Sequence, residues 1–475
     1  MLPPLHIRVD ASPQMGVGHA IRCITLARAW QSRGGAVALY MHDTVPLVEE
    51  IAAASEVGIH RLKTGEAKEF GDILRQDATP YVVIDGYHFT TDYETTLRQQ
   101  QPAILLAVID DRFRETNADV FINLHPAERG SFEDCNARLL AQGSSFALIR
   151  PEITSIQRES RETASRLLIA FGGTDVAGLG EKTLDYLRAN PPENFSVRLI
   201  KAGAKESFKN VDVQSSDWKI APHLEWADAI LCTPSTIALE AACSGLPVFT
   251  VTVAENQLGI AEAIEKNRTG HSLGDAGAYD PAETLSIIGK IFQDPAALTR
   301  MGKAGHRWIN GQGAERIVNA LTAINFHFRQ ATTSDSELIW KWANDPVVRS
   351  SSFQSRAILW ETHSEWYEKK LASQACAFHI AETIDGKPFA ICRFEQDPVL
   401  LTCLISFSLD SAYRGLGLGT LLLSSACKTY SAMHPEYSIQ AQIKPGNAAS
   451  ISVFEHAGFR KMEEAADHLT LSYVS

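Results

Sequence analysis

The chain has 475 residues, which at about 150 residues per domain suggests three domains. Lys and Arg total 44 against 56 Asp and Glu, and the net charge of -12 disfavours bulk binding to nucleic acid or to an anionic membrane surface. The hydrophobic fraction of 45% and the charged fraction of 21% are those of a globular protein, which argues against extensive disorder.

The chain shows no apolar run of the roughly 18 residues that a transmembrane helix needs. Its first residues turn directly into a strand-like alternation, without the basic and apolar regions of a signal peptide. The eight cysteines are scattered and form no C-x-x-C pair, so a structural zinc site or a disulfide framework is not expected. We therefore expect a cytoplasmic protein with reduced thiols, no membrane association and no bound metal.

The first two-thirds of the chain alternates short apolar runs with helical patterns, and the alternation restarts near residue 166. Strands that are separated by helices imply crossover connections and a parallel sheet. We predict two consecutive Rossmann-like halves, with a polar linker over residues 152–165 and a ligand cleft between the halves. The predicted strands are Leu5–Val9, Ala36–Met41, Tyr81–Ile84 and Ile104–Ile109, then Leu167–Phe171, Val197–Ile200, Ala229–Leu231 and Val248–Val251.

The region from about residue 326 to the end has a different organisation. Two helical patterns, Leu338–Trp342 and Thr362–Leu371, precede three strand-like runs, and a glycine-rich turn then opens a helix from Thr420. This pattern predicts an α+β domain with a largely antiparallel sheet. The predicted strands are Ala377–Ala381, Phe389–Phe394 and Leu400–Leu409, and the predicted domains cover residues 1–155, 156–322 and 323–475.

A glycine turn follows the first predicted strand. Gly16 and Gly18 precede His19, which would lie at the carboxyl end of the sheet, where open α/β folds bind ligands. A histidine titrates near neutral pH and can transfer protons. Asp10 and Arg22 add a carboxylate and a cation to the same turn and favour a functional site. The alternative is that the glycines only tighten a strand-to-helix turn.

A second polar segment follows the predicted strand at residues 229–231. Thr233 can cap a helix whose first residue is Pro234, and the hydroxyls of Ser235 and Thr236 would lie at its positive end, which suits a diphosphate. Glu240, one turn further on, could accept hydrogen bonds from ribose hydroxyls. Most glutamates are exposed, so a solvated surface position is the alternative for this residue. Asn256 and Gln257 follow the next strand and could face the same crevice.

These motifs together resemble the GT-B glycosyltransferases that bind UDP-sugars, and more closely the UDP-sugar hydrolases of pseudaminic acid biosynthesis (the PseG family). The resemblance covers residues 5 to 310, with its motifs in the same order. It rests on the opening motif at Arg8, Asp10, Ser12, Gly16, Gly18, His19, Arg22 and Cys23, then on Asp85-Gly86-Tyr87, Asp110-Asp111, Gly172-Gly173 with Asp175, the Ser/Thr-rich segment with Glu240, and Asn256-Gln257.

The resemblance implies that water attacks the anomeric carbon of a UDP-linked diacetamido-trideoxy sugar without a metal, releasing UDP and free sugar. It implies His19 as the base or water-orienting residue and Tyr87 as a residue near the sugar, and we add Asp10 as a third catalytic candidate. The turn around Thr233 lacks glycines that many relatives have there, a departure that bears on the diphosphate contacts. The expected substrate-binding residues are Gly18, Arg22, Gly173, Ser235, Thr236, Glu240, Asn256 and Gln257.

The glycine loop of the last domain resembles the acetyl-CoA loop of GNAT acetyltransferases. The resemblance to this family covers about residues 326 to 472. Successive amides between small residues can hold a pyrophosphate, although three glycines alone also fit an ordinary turn. Phe454 stands where many relatives have a tyrosine acid and cannot donate a proton, so that role would pass to another residue. His379 and Glu395 are candidate bases, for which a structural or surface position is the alternative. The expected acetyl-CoA-binding residues are Leu409, Arg414, Gly415, Gly417, Gly419, Thr420 and Asn447.

The fold class implied is therefore α/β, a GT-B-like pair of Rossmann-like domains followed by an α+β GNAT acetyltransferase domain. The implied function is bifunctional: acetylation of a UDP-4-amino sugar by acetyl-CoA, as in the PseH enzymes, and removal of UDP. Contacts with other enzymes of that pathway are a further expectation. Two alternatives stay open, a GT-B glycosyltransferase with another amine as the GNAT substrate, and a GNAT domain that only binds acyl-CoA. No motif separates pseudaminic-type from legionaminic-type sugars.

Overall fold

The computed structural model describes residues 2–474 except residues 77, 79, 126–131, 159–162, 173–174, 176 and 216–218. The chain divides into two compact units, Met1–Val318 and Asn319–Ser475. Three seven-stranded sheets organise it, two of them in the first unit. None of the helices in the described ranges combines the length and the apolar character that a membrane crossing requires. All eight cysteines are free thiols.

The first sheet is parallel throughout, in the order β3-β2-β1-β4-β5-β6-β7. Its strands are β1 (Leu5–Val9), β2 (Val37–Met41), β3 (Gly58–Arg61), β4 (Tyr81–Asp85), β5 (Leu105–Ile109), β6 (Val120–Asn123) and β7 (Leu139–Gln142). The accompanying helices are α1 (Gly18–Ser32), α2 (Pro46–Ala54), α3 (Ala67–Leu74), α4 (Thr91–Gln100), α5 (Phe132–Cys135) and α6 (Pro151–Thr154), with a 3-10 turn at Ser144–Phe146.

The chain order of the strands reverses between β1 and β4 of this sheet. Every residue of these two strands is buried, as expected where helices cover both faces of a parallel sheet. Because the chain leaves adjacent strands in opposite directions at such a reversal, a crevice opens beyond their carboxyl ends. The glycine turn at Gly16 follows β1, and Asp85 ends β4, so both lie at this crevice.

The second sheet repeats the same plan in the order β10-β11-β9-β8-β12-β13-β14, antiparallel only between β10 and β11. Its strands are β8 (Arg166–Ala170), β9 (Ser196–Ile200), β10 (Glu206–Phe208), β11 (Val211–Gln214), β12 (Ala229–Cys232), β13 (Val248–Thr252) and β14 (Gly270–Asp275). The helices are α7 (Leu179–Ala189), α8 (Ala221–Trp226), α9 (Thr236–Cys243), α10 (Leu258–Lys266), α11 (Pro281–Ile291), α12 (Pro295–Trp308) and α13 (Gly313–Ala323), with a 3-10 turn at Glu255–Gln257.

Alternate residues of β8 pack on opposite faces of the second sheet, with Leu168 in one apolar cluster and Leu167 in the other. The first of these clusters also contains Ala147, Ile149 and Ile153, which follow the last strand of the first sheet. The end of the first half is therefore built into the core of the second half. The reversal of chain order seen in the first sheet recurs here between β8 and β12.

The second unit holds the third sheet, in the order β15-β16-β17-β18-β19-β21-β20. Its strands are β15 (His327–Gln330), β16 (Cys376–Glu382), β17 (Pro388–Asp397), β18 (Thr402–Leu409), β19 (Ser438–Ile443), β20 (Phe459–Glu464) and β21 (Leu469–Tyr473). The helices are α14 (Ser336–Ala343), α15 (Pro346–Ser351), α16 (Trp360–Leu371), α17 (Leu418–Met433) and α18 (Ala448–His456), with 3-10 turns at Thr333–Asp335 and Ser411–Tyr413.

This sheet is antiparallel except between β18 and β19, as predicted. The pairing of those two strands extends from Thr402 with Ser438 to Leu404 with Gln440, although both strands continue further. The strands that were not predicted are β3, β6, β7, β10, β11, β14, β15, β19, β20 and β21. β3 is largely exposed and lacks an apolar run, whereas β6 and β7 are short but almost wholly buried. Leu400, the predicted start of the last strand, lies exposed in a turn.

Helix α12 approaches helix α9 through glycines, and this close contact generates a prediction. A Cβ atom on Gly302 would lie 2.2 Å from the carbonyl oxygen of Gly245. We expect Gly302→Ala to lower the free energy of unfolding by about 1–3 kcal/mol, because the two helices must separate. Urea denaturation followed by circular dichroism measures the change.

The control for this variant is Gly58→Ala, at an exposed position where an added Cβ has no atom within 4 Å. We expect its stability to change by less than about 0.5 kcal/mol. Equal stability of the two variants would contradict the importance of the close helix contact.

Candidate functional site

The crevice of the first sheet brings together side chains from three segments of the chain. His19 lies in the first turn of α1, and its Nδ1 is 2.7 Å from Oδ1 of Asp85 at the end of β4. A carboxylate can only accept, so Nδ1 donates its hydrogen to Asp85, and Nε2 is the ring nitrogen left outside this bond. This orientation of the imidazole is the one that a general base requires.

Asp85 is fully buried and accepts hydrogen bonds from three side chains, those of Arg22, His19 and Cys23, whose Sγ is 3.4 Å from Oδ2. Arg22 donates to both of its oxygens, each at 2.6 Å, in addition to the bond from His19. Burial raises the pKa of Asp85, but the charge of Arg22 and then that of His19 outweigh it, so the pKa lies well below its usual range. Asp85 is thus a permanent anion that fixes the imidazole ring.

Tyr87 also belongs to this cluster. Its hydroxyl donates to Oδ2 of Asp111 at 2.8 Å, and Asp111 in turn accepts from Arg22 at 3.0 Å. The ring meets His19 edge-on, with 4.9 Å between centroids, and the Arg112 guanidinium lies 4.5 Å from the ring centroid. Burial, followed by the Asp111 charge, raises the pKa of Tyr87, so the phenol stays neutral. The Tyr87 residue as a whole is nevertheless 41% exposed.

Asp10, the third predicted catalytic residue, takes part in a neighbouring network. One oxygen accepts from Arg8 at 2.6 Å and from the backbone amides of His42 and Asp43, and the other is 3.0 Å from Nε2 of His88. Burial raises the pKa of Asp10, but the hydrogen bonds from His88 and Arg8 outweigh this effect, so the pKa lies well below its usual range. The carboxylate therefore holds the loop after β2 and orients His88, a residue that the sequence analysis missed.

The start of α9 lies at the crevice of the second sheet. The predicted cap at Thr233 is wrong: the helix begins at Thr236 and Ser235 is the capping position, without a side-chain capping bond. The reason is that the Oγ atoms of Thr233 and Ser235 are 3.2 Å apart and bond to each other. Both hydroxyls still lie at the helix N-terminus. Gly173, predicted at the facing turn, lies outside the described residues.

Glu240 is not the solvated residue that its type alone suggests. It is 2% exposed, and its two oxygens accept from Nε and Nη2 of Arg150 at 2.7 and 2.8 Å. Burial lowers the pKa of Arg150, and the charge of Glu240 outweighs this and raises it. Asn256 is exposed in a 3-10 turn, and the Gln257 side-chain oxygen accepts from the amide of Val253 at 3.0 Å.

In the second unit the glycine loop leads into α17. Gly415 and Gly417 have φ angles of 72° and 76°, a conformation that favours glycine, and Gly417 immediately precedes the helix. Gly419 lies close to α18, because a Cβ there would be 3.2 Å from Cγ1 of Val453. Arg414 donates to Asp345 at 2.8 Å and to the carbonyl of Leu409 at 3.0 Å, which anchors the loop to the end of β18.

The remaining predicted residues of this unit have structural contacts. Thr420 lies in the first turn of α17, and the Asn447 side chain caps α18 by accepting from the amide of Ser450. Phe454 is buried against Phe407 and Phe459. His379 packs against Phe328 and Phe394, and Glu395 pairs with Lys370 and Arg393. In the part of the chain that the structure describes, no group of three or more acidic, histidine or cysteine residues could hold a metal ion.

Comparison with known proteins identifies the second unit. Residues 325–460 match the model of the acetyltransferase (GNAT) domain, so the chain carries a GNAT domain at its C-terminus. The match is to the domain only, since it covers less than a third of the chain.

Two further proteins are similar to part of the chain. The UDP-2,4-diacetamido-2,4,6-trideoxy-beta-L-altropyranose hydrolase of Campylobacter jejuni is 25% identical over 272 residues, which cover 54% of this chain and 95% of the hydrolase. The crystal structure of Acinetobacter baumannii MurG matches 67% of this chain and 99% of its own, with a TM-score of 0.50 and 13% identity. The latter match shows the fold, and the predicted fold class is confirmed.

An uncharacterised protein of Methanocaldococcus jannaschii is 21% identical over 508 aligned residues, which cover 97% of this chain and 98% of that protein. The alignment therefore runs through both units.

The burial of Asp85 generates a prediction about stability. Replacing it by Asn removes the charge that compensates Arg22 in the interior, and breaking such a pair costs about 3 kcal/mol or more. We expect Asp85→Asn to lower the free energy of unfolding by about that amount in urea denaturation at pH 7. Asp72→Asn is the control, because Asp72 pairs with Arg75 at the surface and surface pairs contribute less than about 1 kcal/mol.

The difference in stability between the wild-type chain and Asp85→Asn should depend on pH. The pKa of Asp85 is lower in the folded chain than in the unfolded chain, where it is about 3.9. Its contribution is therefore complete above about pH 5 and is lost as the pH falls through and below about 4. We expect the stability difference between the wild-type chain and Asp85→Asn to narrow on acidification, and a constant difference down to about pH 3 would contradict the assignment.

Proposed function

We propose that the chain is a bifunctional enzyme that acts on a UDP-linked amino sugar. The first unit hydrolyses the bond between the sugar and UDP, with UDP-2,4-diacetamido-2,4,6-trideoxy-beta-L-altropyranose as the substrate class and nonulosonic (pseudaminic) acid biosynthesis as the setting. The GNAT domain transfers the acetyl group of acetyl-CoA to the 4-amino group of the UDP-sugar precursor. The proposal also places the protein in the cytoplasm and includes no required metal.

One observation carries the first activity: the His19 imidazole is held by the buried Asp85 at the crevice between β1 and β4. The C. jejuni hydrolase, which aligns over 95% of its length with this chain, supports the same reaction. UDP is a good leaving group, so the enzyme needs mainly to position a water molecule and to stabilise the phosphate charge.

In the proposed reaction Nε2 of His19 accepts a proton from water as the water oxygen bonds to the anomeric carbon. The bond between that carbon and the β-phosphate oxygen breaks, and UDP leaves with the electron pair. Asp85 stabilises the imidazolium that forms, since the two are 2.7 Å apart. Tyr87 contributes its ring to the sugar site rather than its proton, because that proton is bonded to Asp111.

The second half of the unit supplies the nucleotide contacts in this proposal. Ser235 and Thr236 lie at the N-terminus of α9, where backbone amides and the helix dipole favour an anion such as a diphosphate. Glu240 contacts the ribose, and Asn256 with Gln257 complete the uridine side of the crevice. Gly18 and Arg22 face the sugar-phosphate from the first half.

The second activity follows the chemistry of the GNAT domain. The amine nitrogen attacks the thioester carbonyl, the carbon–sulfur bond breaks, and the CoA thiolate takes up a proton. The amides at Gly415, Gly417 and Gly419 hold the pyrophosphate of acetyl-CoA in this scheme, with Leu409, Arg414, Thr420 and Asn447 around them. Phe454 is buried and has no acidic proton, so the thiolate acquires its proton from another donor.

The two reactions form a sequence, because acetylation of the UDP-4-amino sugar produces the compound that the hydrolase consumes. The GT-B fold also favours a second candidate, a glycosyltransferase that passes the sugar to an alcohol. Incubation with the UDP-sugar alone distinguishes them. Stoichiometric release of UDP and free sugar supports hydrolysis, and release only after an acceptor is added supports transfer.

The role of His19 predicts that His19→Ala lowers the rate of UDP release by about 100-fold or more, since general bases typically contribute that much. The affinity for UDP should change little, because His19 acts on the water and the sugar. Product formation followed by NMR and UDP binding followed by calorimetry measure the two effects.

The matched control is His60→Ala, since His60 lies on β3 and stacks on Tyr40 away from the crevice. We expect it to keep the wild-type rate. Rapid UDP release by His19→Ala would remove His19 from the chemistry.

The glycine loop predicts that Gly417→Val abolishes thiol release from acetyl-CoA while UDP hydrolysis continues. A branched side chain there disfavours the φ angle of 76° and fills the space next to the amides. Gly386→Val is the control, because Gly386 has a φ angle of 79° in a turn elsewhere in the same unit. Equal loss of acetyl transfer in both variants would assign the effect to backbone strain rather than to the loop.

A further inference from the structure

We propose that Arg150 is a positioning residue for ribose recognition, acting through Glu240. The inference rests on the proposed function, because it concerns the nucleotide side of the same site. Arg150 comes from the segment that joins the two halves of the first unit, 90 residues before Glu240. No sequence motif pointed to it.

The ion pair between Arg150 and Glu240 has a bidentate geometry. Arg150 presents Nε and Nη2 side by side to the two oxygens of Glu240, and both distances are below 3 Å. The two residues are 8% and 2% exposed. A buried ion pair of this kind often gives no more stability than apolar residues of the same volume would. Its presence one turn inside α9, beside the crevice between β8 and β12, therefore suggests a role in binding.

The bonds from Arg150 do not use all the acceptor positions of the Glu240 carboxylate. A carboxylate has about four lone-pair positions, and the two bonds from Arg150 occupy one on each oxygen. One position is left on each oxygen, which matches the two neighbouring hydroxyls of a ribose. Hydrogen bonds from a hydroxyl to an ionised carboxylate are stronger than those to a neutral acceptor.

Arg150 is itself held rigidly. It immediately precedes α6, whose first residue is Pro151, and the neighbouring Ile149 and Ile153 are part of the apolar core of the second half. The guanidinium is thus anchored at both its backbone and its head group. A planar side chain held in this way fixes the plane of the Glu240 carboxylate, whereas a lysine would provide only a single point of contact.

The test uses the full chain and titration calorimetry with UDP, 2′-deoxy-UDP and 3′-deoxy-UDP. We expect the wild-type chain to bind UDP at least about tenfold more tightly than either deoxy nucleotide. In Arg150→Lys the preference for UDP over 2′-deoxy-UDP should fall to about threefold or less, with the affinity for 2′-deoxy-UDP nearly unchanged. Glu240→Gln should reduce the preference similarly, and the double variant should reduce it no further.

Arg158→Lys is the matched control. Arg158 also lies between β7 and β8, and it donates to the backbone carbonyls of Leu224, Ala227 and Ser244. Its replacement should lower stability without changing the preference for ribose. If Arg150→Lys is not folded, the wild-type comparison of the three nucleotides decides, because equal affinities for all three would overturn the inference without any variant.

The inference fails if Arg150→Lys keeps the wild-type preference, or if it weakens UDP and 2′-deoxy-UDP equally, as a purely structural pair would. Continued hydrolysis of the UDP-sugar in those cases would leave the proposed function intact. Conversely, a chain that shows the ribose preference but releases no UDP from a UDP-sugar would support the role of Arg150 and contradict the hydrolase.

Discussion

The arrangement of the first crevice depends on one buried carboxylate. An ionised aspartate is stable in the interior of a protein only when cations and donors surround it. Asp85 meets this requirement through Arg22 and His19, and Arg22 reaches on to Asp111, which holds the Tyr87 hydroxyl. The positions of four further side chains thus follow from the burial of one charge.

The second half of the unit applies the same principle to a different element. Asp85 ends the strand that flanks the reversal of the first sheet, and Glu240 lies on the helix that follows the equivalent strand of the second sheet. Each is buried, and each is paired with an arginine from elsewhere in the chain. Each half thus contains a buried carboxylate, one bonded to an imidazole and the other to the Arg150 guanidinium.

Much of this could be predicted from the sequence, because the apolar runs of buried parallel strands and the glycine turn after β1 are local signals. The antiparallel character of the last sheet also followed from such patterns, whereas the GT-B pairing of the two halves came from the resemblance of the motifs to known families. The exposed edge strand β3 carries no apolar run, and it was missed for that reason.

The partners of the charged residues could not be predicted, because they depend on contacts between distant positions. His19 and Asp85 are 66 residues apart, and Arg150 and Glu240 are 90 apart. A single sequence shows the carboxylate but not the side chain that meets it. The engagement of Asp10 by the loop after β2 has the same origin, as does the choice of Ser235 over Thr233 at the start of α9.

The apolar segment that ends the first half has a consequence for the synthesis of the protein. Ala147, Ile149 and Ile153 pack in a cluster whose later members include Val248. At about 5–20 residues per second, the ribosome adds the intervening stretch in roughly 5–20 seconds. During that interval the rest of the cluster has not been synthesised, so the three side chains cannot be buried in it. The nascent first half therefore carries an exposed apolar segment, which a chaperone can bind until the second sheet emerges.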